Sequence, residues 1–221
     1  MTLTKVQEGG VTYYMQDIYV RNIRNIQSAF ASDTYGKAIT APVLDMAKSN
    51  DAVGAINGDY YGVENNGVVI RNGLLFRSEA DSDVLVLYLD GKMEVIDEEE
   101  FQADTVMAEG AYQAWCFGPS LMQDGKAIAH FRSSISGLNP RTMIGYFEPG
   151  HYCFVTVDGR QKGYSVGMTL VQLSELAERL GCVAAYNLDG GKTSTMTFGD
   201  SIANKPVNGG RKTSDIIFIT E

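Results

Sequence analysis

Two stretches, far apart in the chain, place amides, carboxylates and glycines directly after short apolar runs. Asn57-Gly58-Asp59-Tyr60-Tyr61 follows one run, and Asn187-Leu188-Asp189-Gly190-Gly191 follows another. A carboxylate at a strand end, beside backbone N–H groups that glycines leave accessible, suits an anionic or sugar substrate. The alternative is a tight turn between two strands, for which Asp-Gly is a common sequence.

Other polar residues gather at the ends of other predicted strands. The full set of candidates is Asn57, Asp59, Tyr60, Arg71, Arg141, Thr142, Asp158, Arg160, Asn187, Asp189, Gly190, Gly191, Ser194, Arg211 and Ser214. Paired carboxylates can cleave glycosidic bonds as acid, base or nucleophile, and arginines form bidentate clamps on phosphate. The combination predicts a substrate with both a sugar and a phosphate. Three candidates keep structural alternatives: Asp158 as a turn residue, Arg160 as a surface charge and Tyr60 as a wall or core residue.

Composition narrows the class of protein. The chain has 221 residues and a formal net charge of −9. That balance argues against nucleic acid or an anionic membrane as the main partner, since either needs a surplus of Lys and Arg. No apolar run approaches the length of a membrane span, and the first eight residues lack a signal-peptide pattern.

Cysteines and histidines are few and poorly placed for metal chemistry. Cys116, Cys153 and Cys182 lie among apolar or aromatic neighbours at spacings that fit no metal motif, which indicates buried free thiols. With only two histidines, the sequence argues against Ser-His-Asp catalysis and zinc hydrolysis. We assign no cofactor, although Asp and Asn oxygens are compatible with a hard cation such as calcium.

The elements that position these residues are short strands and few helices. The clearest helix is 169–180, with a Thr169/Gln172 capping box and Gly181 placed to end it. A second helix is predicted over 41–48, and a long loop over 130–139. Strands or hairpins are predicted over 11–20, 52–56, 68–76, 84–96, 141–157, 183–188 and 214–219. We expect an α+β fold: one domain with a mixed, largely antiparallel sheet, in which 1–50 contribute an N-terminal strand and helix and 51–221 form the catalytic region.

Six short motifs also resemble the phosphodiester glycosidase family. They are Asn57-Gly58-Asp59-Tyr60-Tyr61, Asn139-Pro140-Arg141-Thr142, Val157-Asp158-Gly159-Arg160, Ser165-Val166-Gly167-Met168-Thr169-Leu170, Asn187-Leu188-Asp189-Gly190-Gly191, and Arg211 with Ser214 before the last strand. They run in the family's order and span residues 57 to 219. The first fifty residues carry little of the resemblance.

The resemblance implies a hydrolase that cleaves a glycosyl–phosphate diester, such as one of N-acetylglucosamine, at the anomeric carbon. It implies a sugar-phosphate or glycan partner and an extracellular or envelope location, in exopolysaccharide or envelope metabolism. Two alternatives stay open. One is a non-catalytic carbohydrate- or polymer-binding domain of the same fold, and the other is a phosphodiesterase that cuts the P–O bond. The sugar, the stereochemical course and a homo-oligomeric state also stay open.

The residues divide into expected roles. A phosphate monoester leaves readily, because its second pKa is about 6, so an arginine clamp can replace much of the work of a general acid. We expect Arg141 and Arg211 to form that clamp, with Arg160 and Arg71 as further candidates. For the carboxylate opposite the leaving group, the first candidate is Asp189, the second is Asp59 and the third is Asp158. The remaining expected substrate contacts are Asn57, Tyr60, Thr142, Asn187, Gly190, Gly191, Ser194 and Ser214.

Overall fold

Short apolar runs bounded by turn residues give the chain seventeen strands and three α-helices; the computed structural model describes residues 1–221. The strands are β1 Thr2–Glu8, β2 Val11–Tyr19, β3 Ile26–Phe30, β4 Gly54–Asn57, β5 Val69–Arg71, β6 Leu74–Arg77, β7 Val84–Tyr88, β8 Met93–Ile96, β9 Ala111–Cys116, β10 Met122–Gln123, β11 Lys126–Ala127, β12 Arg141–Glu148, β13 His151–Val157, β14 Ala184–Leu188, β15 Met196–Phe198, β16 Ser201–Ile202 and β17 Asp215–Ile219. The helices are α1 Val43–Ser49, α2 Ala103–Ala108 and α3 Leu170–Leu180.

The strands form three five-stranded sheets and a two-stranded ribbon. The first sheet has the order β1-β2-β13-β12-β14, the second β16-β15-β4-β17-β3 and the third β6-β5-β9-β7-β8, while β10 pairs with β11. Every hydrogen-bonded pair of strands is antiparallel. The expected α+β fold with few helices is therefore confirmed, and its strands are divided among three sheets.

One central core is shared by all three sheets. It includes Ile144 from the first sheet, Ile217 from the second, and Leu85 and Trp115 from the third. Side chains alternate between the two faces of a strand. In β7, Leu85 therefore joins the central core, whereas Val86 joins a separate cluster on the other face of the sheet.

Each sheet carries one helix on the face away from that core. Leu173 of α3 packs with Met143 of the first sheet, Met46 of α1 with Ile216 of the second, and Val106 of α2 lies in the outer cluster of the third. Burial on both faces explains why these strands read as continuous apolar runs.

Helix α3 begins and ends as its sequence predicts. The Thr169 backbone N–H donates to Gln172 Oε1 at 2.9 Å, and the Gln172 N–H donates to Thr169 Oγ1 at 3.1 Å. Gly181 ends the helix at φ +89°, in the left-handed region that glycine adopts without strain. The helix links β13 to β14, which flank β12 and so run parallel to each other.

The predicted hairpins, the loop over 130–139 and the buried cysteines are confirmed. β5 and β6 are joined by Asn72 and Gly73, both at positive φ (53° and 83°). Residues 130–139 form an irregular loop. All three cysteines are buried and unbonded to one another. No helix has the length and apolar composition needed to cross a bilayer.

Seven strands lie outside the predicted ranges: β1, β3, β9, β10, β11, β15 and β16. Two of them, β1 and β9, were missed for opposite reasons. β1 is an edge strand whose side chains are mostly exposed, so it lacks an apolar pattern. β9 is buried throughout, including its Gln113, so it lacks the alternation of a half-buried strand.

The capping box generates a stability prediction. We expect Thr169→Ala to lower the free energy of unfolding by about 1 kcal/mol, because the N–H groups at the start of α3 lose their acceptor. The measurement is urea denaturation followed by circular dichroism. Thr169→Ser keeps the hydroxyl and is the matched control, so an equal loss in both variants would contradict a capping role.

Candidate active site

Antiparallel pairing brings the polar strand ends to one edge of the fold. Thr142, near the start of β12, lies opposite Leu188 at the end of β14. Asn57, at the end of β4, lies opposite Ile216 near the start of β17. The residues that follow β4 and β14 and those that precede β17 therefore meet in space.

Asn57 joins the first two sheets at this edge. Its Nδ2 donates to the carbonyl oxygens of Asp189 (2.8 Å) and Gly58 (3.1 Å). Its Oδ1 accepts from Thr142 Oγ1 (2.9 Å) and from the Thr195 N–H (3.2 Å). All four bonds are internal and the side chain is fully buried. Asn57 and Thr142 therefore hold the backbone at Asp189 in place and are closed off from the surface.

The central polar pair of the site is Asp189 with Arg211. Arg211 Nη2 lies 2.7 Å from Asp189 Oδ2, and the guanidinium also donates to Thr193 Oγ1 from Nε at 3.0 Å. The Arg211 guanidinium lies 5.1 Å from the centre of the Tyr60 ring. The Asp189 side chain is 12% exposed and that of Arg211 is 42% exposed. The pair therefore faces solvent through its cation while the carboxylate stays mostly covered.

Burial raises the pKa of the Asp189 carboxyl above its usual value. Hydrogen bonding to Thr193, the charge of Arg211 and the Gly190 N–H oppose that rise without cancelling it. A carboxylate with a raised pKa is a stronger base than an exposed one.

A cleft of about 430 Å³ opens over this pair. Its lining residues are Tyr60, Glu64, Phe117, Ile135, Asn139, Pro140, Arg141, Arg160, Asn187, Leu188, Asp189, Gly190, Gly191, Lys192 and Arg211. Eight of the expected site residues thus share one concave surface: Tyr60, Arg141, Arg160, Asn187, Asp189, Gly190, Gly191 and Arg211.

A smaller pocket of about 200 Å³ adjoins the cleft. Its lining residues are Thr40, Asp59, Tyr60, Val63, Asp189, Arg211, Lys212, Thr213 and Ser214. Tyr60, Asp189 and Arg211 line both spaces, so the Asp189–Arg211 pair lies on the boundary between them. Asp59 and Ser214, also expected in the site, belong to this second space.

Arg71 lies beneath the small pocket as a buried cation shared by two carboxylates. Its Nη2 donates to Asp59 Oδ2 and its Nε to Asp215 Oδ2, both at 2.9 Å. The guanidinium also lies 5.6 Å from the Trp115 ring. Because only 2% of Arg71 is exposed, the structure places it beneath the site, where it can reach a ligand only through Asp59.

Asp59 is held from several sides. Its Oδ1 accepts the Tyr61 N–H at 3.1 Å, and its Oδ2 accepts the Cys116 N–H at 3.3 Å in addition to the bond from Arg71. These bonds fix the orientation of Asp59 at the floor of the small pocket.

Asp215 is a site residue that the sequence analysis missed. Burial raises its pKa to about 7; Arg71 opposes the rise, and the charges of Asp59 and Asp189 add to it. Its Oδ1 is buried without a hydrogen-bond partner. A Cβ on Gly58 would lie only 2.2 Å from this oxygen, so glycine is required there. The available signal was a carboxylate at the start of the fully apolar run of β17.

Arg141 anchors the loop over 130–139. Its Nε donates to the Met168 carbonyl at 2.9 Å, and its Nη2 to the carbonyls of Ile135 (2.6 Å) and Gly137 (2.5 Å). Burial, with the nearby charge of Arg160, lowers its pKa to about 10. Arg141 therefore shapes one wall of the cleft while lining it.

Five expected residues lie outside both spaces: Asn57 and Arg71, described above, and Asp158, Ser194 and Thr142. Asp158 accepts from Tyr164, Asn204 and the Lys205 N–H, which pins the chain before the last strand. Ser194 is buried, with its hydroxyl unpartnered. Thr142, described above, bonds to Asn57. The sequence analysis did not single out Lys192, which lines the cleft, or Thr193, which bonds to Arg211. Both lie in a short hydroxyl-rich turn without a distinguishing pattern.

No group of three or more His, Cys, Asp or Glu side chains is arranged as a metal site.

The sequence matches a known protein family. A family profile for phosphodiester glycosidases matches residues 50–220. The chain belongs to the phosphodiester glycosidase family, as its six motifs indicated.

One curated protein is similar to most of the chain. The chain is similar to SPβ prophage-derived uncharacterized protein YomE of Bacillus subtilis strain 168, with 30% identity over 211 residues, which are 84% of this chain and 32% of YomE. The chain thus spans about a third of the length of that curated relative.

Two solved structures share the fold. One is the zebrafish N-acetylglucosamine-1-phosphodiester alpha-N-acetylglucosaminidase catalytic domain, auto-inhibited by its pro-peptide, with a TM-score of 0.77, 18% identity and coverage of 100% of this chain and 82% of that one. The other is a hypothetical protein from Synechocystis, with a TM-score of 0.62, 14% identity and coverage of 99% and 64%.

The shared cation generates one prediction. We expect Arg71→Gln to destabilise the fold by about 3 kcal/mol or more, because two buried carboxylates lose their counter-charge. Urea denaturation measures it, with Arg21→Gln, an exposed arginine, as the control. A loss equal to that of the control would contradict a supporting role for Arg71.

Asp215 generates a pH-dependent prediction. The folded chain holds the Asp215 proton up to about pH 7, whereas an unfolded Asp releases it near pH 4. Between these values the folded state binds more protons, so this group's contribution to stability falls as pH rises. The Asn side chain of an Asp215→Asn variant stays neutral at every pH. We therefore expect the Tm of this variant, relative to the Tm of the native chain, to rise by about 5 °C from pH 5 to pH 8. A difference in Tm that is constant over this range, as expected for the exposed control Asp200→Asn, would contradict the assignment.

Proposed function

We propose that the protein hydrolyses a glycosyl phosphodiester at the anomeric carbon, in the cleft above Asp189. The observation that carries this proposal is the mostly covered Asp189 carboxylate, bonded to a half-exposed Arg211 at the boundary of two polar spaces. A carboxylate and a cation side by side can serve the two ends of the bond that breaks.

Arg211 is suited to the leaving group. A phosphate monoester gains negative charge as the C–O bond breaks, and a guanidinium can take two of its oxygens in parallel. The Gly190 and Gly191 backbone lines the same cleft and lets phosphate oxygens approach closely. Because phosphate is a good leaving group, no strong general acid is needed.

Asp189 is suited to act opposite the leaving group, as nucleophile or as base for water. In the free protein its Oδ2 bonds to Arg211. A substrate phosphate would compete for that guanidinium, and the carboxylate would then be freer to act on the anomeric carbon or on water. Its raised pKa increases its basicity in either role.

The other carboxylates take secondary roles. Asp59 lines the small pocket with Ser214, but its carboxylate is fully buried and accepts from Tyr61, Arg71 and Cys116, so its role is to support the floor of that pocket. Arg71 and Asp215 hold Asp59 from below. Asp158 lies away from both spaces, so its catalytic role is the weakest of the three. Tyr60 offers the cleft a ring face, whereas the buried Asn187 donates from Nδ2 to the Gly118 carbonyl and so supports the wall of the cleft.

The substrate and setting are part of the proposal. The zebrafish protein is named for an N-acetylglucosamine-1-phosphodiester, so we propose N-acetylglucosamine as the first sugar to test. An extracellular or envelope location, with a phosphate-containing glycan as substrate, rests on the family resemblance. We also propose that residues 51–221 carry the catalysis, and that 1–50 complete the same domain by pairing β2 with β13 and β3 with β17.

The experiment is an assay of sugar release from UDP-N-acetylglucosamine and from an N-acetylglucosamine α-phosphodiester. We expect Asp189→Asn to lower kcat by roughly 10²–10⁴, as for loss of a positioned base. We expect Arg211→Gln to lower it by roughly 10²–10³, as for loss of a group that stabilises transition-state charge. Asp200→Asn, an exposed carboxylate far from the cleft, is the control.

Unchanged sugar release in a folded Asp189→Asn variant would contradict the role of Asp189. Binding of either compound without release of sugar by the native chain would instead favour a carbohydrate-binding domain of the same fold.

A further inference from the structure

We propose that the cleft contains a second anion-binding subsite, formed by Arg160 and Lys192 beside Arg211, which takes a neighbouring phosphate of a substrate with several phosphodiester linkages. The inference rests on the proposed function for its biological meaning, although the binding itself can be measured independently.

Three cations surround the turn at residues 190–193. Arg160 donates to Asn139 Oδ1 from Nε (3.1 Å) and Nη2 (2.5 Å). A Cβ on Gly191 would lie 3.3 Å from Arg160 Nη1, so this guanidinium rests against the turn. Arg211 reaches the same turn through Thr193. Lys192 lies within the turn and is exposed.

Arg160 and Lys192 have no carboxylate partner. Neither takes part in any of the seven ion pairs of the structure, whereas Arg211 is bonded to Asp189. The chain as a whole is acidic, with 27 acidic and 18 basic residues. A cluster of unpaired cations in one cleft therefore has the opposite sign to the net charge of the protein. Concentrated charge of one sign attracts ligands of the other.

The cleft carries more positive charge than one phosphate needs. Arg141, Arg160, Lys192 and Arg211 line it, against the two carboxylates Glu64 and Asp189. Burial is the main cause of the lowered pKa of Arg141, and the charge of Arg160 adds to it, since both guanidiniums line the same cleft. A bound anion would offset the repulsion between these two charges.

Arg160 adopts a backbone conformation that side chains usually avoid. Its φ is +57°, in the left-handed region, and its N–H donates to the Val166 carbonyl at 3.3 Å. Such strain costs free energy and persists where the surrounding structure enforces it, often at ligand sites. Here it accompanies a side chain that reaches across to Asn139 and Gly191.

Arg211 already serves Asp189 and, in the proposed reaction, the leaving phosphate. Arg160 and Lys192 are therefore available to a different phosphate of the same ligand. The chemistry that fits is a linear chain of sugars or polyols joined by phosphodiesters, laid along the cleft. Such a ligand carries one charge per repeat and would be held at two points.

Isothermal titration calorimetry tests the subsite without turnover. The probes are glycerol phosphate, with one phosphate, and a linear tetramer of glycerol phosphate, which has no anomeric bond to cleave. We expect the native chain to bind the tetramer at least about tenfold more tightly than the monomer, since charged hydrogen bonds to a second phosphate add to those of the first. We expect Arg160→Gln/Lys192→Gln to lose most of that difference.

The control variant is Lys48→Gln/Lys162→Gln, which removes the same charge from exposed lysines outside the cleft. Thermal melts confirm that each variant is folded. Equal affinity for monomer and tetramer in the native chain, or an unchanged preference in the Arg160/Lys192 variant, would overturn the subsite. Equally tight binding of a four-residue oligogalacturonate would overturn its assignment to phosphate.

The two proposals fail in different ways. If the native chain prefers the tetramer through Arg160 and Lys192 but releases no sugar from any glycosyl phosphodiester, the subsite stands and the hydrolytic function does not. If sugar is released but the tetramer has no advantage, the function stands and the subsite is overturned.

Discussion

The site depends on a buried guanidinium that two carboxylates share. Arg71 bonds to Asp59, which follows β4, and to Asp215, which begins β17, and it comes itself from β5 of the third sheet. One positive charge thus ties two sheets together beneath the small pocket. Because a lone buried charge is costly, loss of Arg71 leaves two buried carboxylates without a counter-charge. Burial, with the charge of Asp59, raises the pKa of Asp215 to about 7, so this carboxyl can stay neutral while Arg71 compensates Asp59.

A second set of bonds places the acting carboxylate. Asn57, two residues before Asp59, donates a hydrogen bond to the Asp189 carbonyl. It also accepts a hydrogen bond from the hydroxyl of Thr142 in the first sheet. The Asp189 backbone is therefore fixed from both sheets, while its side chain points to Arg211. The polar side chains therefore fall into two groups by their exposure. Those that are fully buried hold the backbone in place, whereas those that reach solvent, such as Arg211, Arg160 and Lys192, are available to a ligand.

The sequence predicted those parts of the arrangement that depend on local signals or on residues at the ends of strands. Capping residues and Asn-Gly turns act locally, so α3 and the β5–β6 hairpin could be predicted. Residues after apolar runs were identified as site candidates because strand ends meet at sheet edges. Which of these candidates can reach a ligand depends on their burial in the folded chain. The sequence alone therefore could not separate Asn57, Arg71 and Asp158, which lie outside the cleft, from Asp189 and Arg211, which line it. Asp215 was missed because its role arises only when β17 pairs with β4 beside Arg71.

The most direct test of the central claim is the position of bond cleavage. Hydrolysis of an N-acetylglucosamine α-phosphodiester in ¹⁸O-labelled water, with both products analysed by mass spectrometry, reports which atom is attacked. If Asp189 acts on the anomeric carbon or on water attacking it, the label enters the anomeric hydroxyl of the sugar and the phosphate stays unlabelled. Label in the phosphate would show P–O cleavage and contradict the account.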